Sequence, residues 1–83
     1  MIIECSRIEQ FKEIGNNLPK EVYILYLTEE GDAVLRPKVT SRGRDTIWIR
    51  NLSKEELGEL AKWWGKAFIV KKVHFKEDIP EVR

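Results

Sequence analysis

The chain has 83 residues, 35% charged, 42% hydrophobic and 10% aromatic, and its 15 basic and 14 acidic side chains leave a formal net charge of +1. That length holds one domain with one core. The apolar content is too high for a chain disordered by composition, and no apolar run approaches the ~18 residues that a membrane span needs.

The near-neutral total hides an uneven distribution. Residues 1–32 carry 3 basic and 7 acidic groups (−4), residues 33–53 carry 5 and 1 (+4), and residues 54–83 carry 7 and 6 (+1). An electrostatic partner is therefore met by a patch and not by the field of the whole molecule. Nine Lys and eleven Glu against three Asp, with Asn and Gln scarce, is the composition of proteins from hot environments. A single cysteine, Cys5, excludes an internal disulfide. Met1-Ile2-Ile3-Glu4-Cys5 lacks the basic and long apolar regions of a signal peptide, so a cytoplasmic location is the expectation.

In chain order, residues 2–5 read as a short strand or an extended arm. Ser6 with Glu9 has capping-box spacing, and Ile8, Phe11, Ile14 and Leu18 follow at helical intervals until Asn16-Asn17 and Pro19 end the pattern. Residues 22–28 are dense in β-branched and aromatic residues and predict a strand apolar on both faces. Val22, Ile24 and Tyr26 point one way, and Tyr23, Leu25 and Leu27 the other. Glu29-Glu30-Gly31-Asp32 reads as a hairpin turn.

Residues 33–40 return as a second strand, placed at an edge or bulged at Pro37, which has no ladder donor. A loop at 41–45 and a strand at 46–50 follow, with Ile47 and Ile49 inward and Thr46, Trp48 and Arg50 outward. Ser53 and Glu56 form a second capping box, and Leu52 with Leu57 staples it. The helix it opens runs to about Trp64, buries Leu57, Leu60, Ala61 and Trp64, and ends at Gly65. Residues 67–75 predict a last strand, and residues 76–83 an extended tail within the same single domain.

The order (β)-α-β-β-β-α-β predicts an α+β two-layer sandwich, with two helices packed on one mainly antiparallel sheet of three to five strands. Up to residue 65 this order is similar to that of the double-stranded-RNA-binding domain. That family opens its second helix with a lysine-rich motif, where this chain has Lys54-Glu55-Glu56. An acidic helix start repels phosphate, so the family's function is not carried over.

The candidate site lies in the basic middle segment. If the 41–45 loop closes a hairpin, Thr40 faces Thr46, Lys38 faces Trp48 and Arg36 faces Arg50 on one side of the sheet, with Arg42 and Arg44 at the loop tip. Basic groups around an aromatic suit nucleic acid, RNA in particular, or another polyanion: phosphates meet Arg and Lys while a base stacks on Trp48. The ordinary alternative is a solvated face on which Lys38 covers Trp48. A second basic cluster, Lys71-Lys72-His74-Lys76, either extends this patch or blunts an edge strand. The acidic turn 29–32 is shorter than a calcium loop and reads as solvated charge.

A second function class is a protein-interaction module or homodimer, using the two-sided strand with Tyr23 and Tyr26, or Trp63 on the second helix. Catalytic, cofactor and metal sites are not expected. His74 and Cys5 are the only residues of their kind and sit in no metal or nucleophile pattern, and the glycines form no phosphate loop. A membrane partner is not expected either.

Overall fold

The structure is a computed structural model and describes residues 2–38 and 45–71. Its elements are β1 (Ile2–Cys5), α1 (Ile8–Gly15), β2 (Tyr23–Thr28), β3 (Ala33–Pro37), β4 (Thr46–Ile49), α2 (Lys54–Trp64) and β5 (Ala67–Val70). The two helices pack on one five-stranded sheet of order β1-β4-β3-β2-β5, an α+β fold.

Only the β2–β3 and β3–β4 pairs are antiparallel; β1 pairs parallel with β4, and β5 parallel with β2. The sheet is therefore mixed, where a mainly antiparallel one was expected. The cause is the helices. Each of α1 and α2 carries the chain back along one layer, so the strand after it runs in the same direction as the strand before it. β3 alone opposes the other four.

Residue alternation builds two apolar layers. Tyr23, Leu25, Leu27, Ala33, Leu35, Ile47 and Ile49 face the helices and join Phe11, Leu60 and Trp64 in the main core. Tyr23, Leu25 and Leu27 share one face, as the alternation predicts, and the helices cover that face. The opposite face has its own buried pair, Val34 and Trp48, with Tyr26 and Val70 packed against it.

The second capping box forms as read. Ser53 Oγ accepts from the Glu56 backbone N–H at 3.1 Å, and Glu56 Oε1 accepts from the Ser53 N–H at 2.9 Å. Gly65 then ends α2 in the left-handed region at φ 91°. The first capping box does not form. The N-cap of α1 is Arg7, without a side-chain cap, and the Ser6 N–H donates to Gln10 Oε1 instead. In the acidic turn, Gly31 takes φ 104°. Asp32 is held locally, its N–H donating to Thr28 Oγ1 at 3.1 Å and its carboxylate accepting from that hydroxyl at 3.2 Å.

The helices meet at a seam around Trp63. Its Nε1 donates to Asn16 Oδ1 at 3.0 Å, and its ring lies 6.0 Å from Phe11 and 5.1 Å from Trp64. Lys12 and Glu59 add an ion pair between α1 and α2. The described part of the last strand is shorter than expected, and positions 72–75 with the tail 76–83 lie outside the described residues.

Candidate functional site

The β3–β4 register differs from the expected one. Val34 pairs with Trp48, Leu35 with Ile47 and Ala33 with Ile49. Trp48 is thus four positions from the expected partner Lys38, and Arg36 is not opposite Arg50. An even-numbered shift keeps every side chain on its predicted face, so Arg36 and Trp48 still share the side away from the helices. The neighbours change, however. Trp48 sits beside Val34 and is only 2% exposed. A base cannot stack on a ring in that position, which corrects the expectation of an open Trp48 face.

The cations are redistributed accordingly. The guanidinium of Arg50 lies 4.7 Å from the Trp48 ring and that of Arg36 lies 5.9 Å from the Tyr26 ring. Lys38 is exposed just beyond β3, where its N–H extends the ladder by donating to the Val22 carbonyl at 2.6 Å. Arg42, Arg44 and Thr40 lie outside the described residues, as do Lys72, His74 and Lys76.

One row of side chains crosses the whole second face through successive pairings: Glu4, Trp48, Val34, Tyr26 and Phe68. Among its aromatic rings, exposure rises towards β5. Trp48 is covered, Tyr26 is half-buried, and Phe68 is 46% exposed. Phe68 stands 6.2 Å from Tyr26, and the ammonium of Lys66 lies 5.8 Å from its ring. Among the described residues, the three aromatic rings of this face each lie near a cation, and Phe68 is the most accessible of them.

Phe68 also borders a groove of about 370 Å³ lined by Lys20, Lys38, Lys66, Glu21, Trp64 and Tyr23 among others. Three elements' ends converge on it. Lys20 comes from the segment before β2, Lys38 from the end of β3, and Lys66 from the short link between α2 and β5. Lys20 is positioned by α2: its ammonium donates to the Trp63 carbonyl at 3.4 Å and lies 5.2 Å from the Trp64 ring. A cation suits this place because the helix C-terminus is the negative end of its dipole. Three lysines against one carboxylate make the groove cationic.

The other surfaces differ in sign and shape. A groove of about 660 Å³ beside β1 is lined by Glu4, Glu9 and Glu56 against Arg7 and Arg50. It also reaches Cys5, whose thiol burial, reinforced by nearby Glu4, pushes above its ordinary range. Such a thiol is a poor nucleophile at neutral pH. A third depression brings Glu29 and Glu30 beside Ile69, Val70 and Lys71. Among the described residues, no group of three or more His, Cys, Asp or Glu side chains could hold a metal ion, and no helix is long and apolar enough to cross a membrane.

Of the residues expected to meet a partner protein, Tyr23 is buried in the main core, Tyr26 lies half-buried on the second face, and Trp63 fills the helix seam. The sequence reading did not single out Lys20, Lys66 and Phe68, which line this groove. Lys66-Ala67-Phe68 is a basic–aromatic alternation, but its relation to Lys38 follows only from the parallel pairing of β5 with β2. Comparison with protein-family models, curated proteins and solved structures finds no match.

Proposed function

We propose that this protein binds nucleic acid, RNA in particular, through the basic–aromatic groove at the β2–β5 corner. The observation that carries the reading is the convergence of Lys20, Lys38 and Lys66 around the half-exposed ring of Phe68. Lysines meet phosphates as point charges, and the aromatic face offers a stacking surface. Arg36, paired with Ile24 on the same face, extends the cationic surface from the groove towards Tyr26.

Binding of a labelled mixed-sequence RNA, measured by fluorescence anisotropy with the wild type and with K38E/K66E, tests this. Reversing two of three groove cations should abolish binding while leaving the melting temperature within a few degrees. Undiminished binding by the folded variant would refute the groove as the site.

A second reading, a protein contact or homodimer, has one observation in its favour. Ile69 is 64% exposed on β5, one of the two edge strands of the sheet among the described residues, and such an edge is a template for pairing with another chain. Sedimentation velocity across a hundredfold range of concentration tests the homodimer. A species that stays monomeric throughout excludes it.

A further inference from the structure

We infer, resting on the nucleic-acid reading, that the ligand is single-stranded and that one unstacked nucleotide enters the groove with its base on Phe68. Three features of the site lead there. First, the aromatic ring is the accessible end of the second-face row, half-exposed and bordered by lysines. A duplex keeps its base faces inside the stack and presents phosphates on a convex surface, so it can touch the lysines but offers no base face to Phe68.

Second, the cations surround the groove. They come from three separate chain segments that meet at one groove, so they can hold the phosphates on either side of a single nucleotide seated there. Third, about 370 Å³ lies in the ~300–1,000 Å³ range of sites that enclose a small ligand. That is room for a nucleotide and not for a stretch of double helix. The site's polar chemistry adds little base discrimination. Phe68 reads no edge, and Glu21 is the one carboxylate lining the groove. Binding should therefore tolerate most sequences, since every base has a stacking face.

The test compares one 12-nucleotide labelled RNA, free and annealed to its complement, by fluorescence anisotropy at salt concentrations from 50 to 200 mM. The proteins are the wild type, F68A, F68L and K38A/K66A, each checked for folding by circular dichroism. F68L keeps an apolar contact with Tyr26 but removes the ring face, so it serves if F68A is unfolded. The expected result is at least tenfold tighter binding of the single strand and a roughly five- to hundredfold loss in the Phe68 variants. K38A/K66A should lower the salt slope by about 1.4. Equal binding of both RNA forms, with no effect of the Phe68 variants and a loss in K38A/K66A, overturns the single-strand inference and leaves the polyanion reading standing. No binding of either form by the wild type overturns both.

Discussion

Replacing Trp48 by alanine decides whether the second face of the sheet is a second core or an open platform. The ring is 2% exposed and packs with Val34, Tyr26 and Val70. A buried tryptophan removes roughly 150–250 Å² from water, worth about 4–6 kcal/mol at ~25 cal/mol per Å². Alanine keeps a small part of that, and measured Trp→Ala losses in cores run to about 3–5 kcal/mol. For a domain of this size the melting temperature should fall by on the order of 15–30 °C. Urea denaturation followed by far-UV circular dichroism gives the loss directly, and a parallel thermal melt gives the shift. Arg50→Ala is the internal comparison. Its guanidinium lies 4.7 Å from the same ring but at the surface, so its loss should cost only about 0.5–1 kcal/mol. A Trp48→Ala loss below ~1 kcal/mol would refute the buried placement and with it the Val34–Trp48 register.

The helix seam makes an equally sharp prediction. A Cβ on Gly15 would overlap Trp63 Cη2 and lie 2.8 Å from its Cζ2 and 3.2 Å from Leu35 Cδ1. Gly15→Ala must displace the indole and strain its bond to Asn16. It should destabilise by about 1–3 kcal/mol in a denaturant melt, and pairing it with Trp63→Leu should recover part of the loss. Stability should also fall on the alkaline side. Burial, with Glu4, holds the Cys5 thiol above its ordinary value of 9.0, and burial, with Asp45, holds the Tyr23 phenol above 10.0. Above those values the unfolded chain loses protons that the native state retains, so unfolding becomes easier as pH rises. Urea midpoints from pH 7 to 10.5 should decline for the wild type and decline less for Cys5→Val.

Elements held by local signals were legible in the sequence. The Ser53–Glu56 box, the Gly65 stop and the two-faced strand around Leu25 all depend on residues within a few positions of each other. Ser6 shows the limit of that logic, since Gln10 competes for its backbone N–H and the helix starts one residue later. Strand register was not legible. A shift of four residues between β3 and β4 keeps both face patterns, so hydrophobic alternation cannot separate Lys38 from Val34 as the neighbour of Trp48. The site suffered most from this. In the proposed site the aromatic anchor is Phe68 in place of Trp48, and Lys66 reaches Lys38 only through the parallel pairing of β5 with β2.

A groove that reads phosphates must bind RNA in a salt-dependent way, and that dependence is the most direct test of the proposed site. Titrating a 12-nucleotide single-stranded RNA between 50 and 200 mM salt should give a slope of log K against log salt of about −2, as expected for roughly three phosphate contacts on a single strand. K38E/K66E should bring the slope close to zero or abolish binding. A wild-type affinity that does not change with salt, or a slope left intact by the folded variant, would contradict the account.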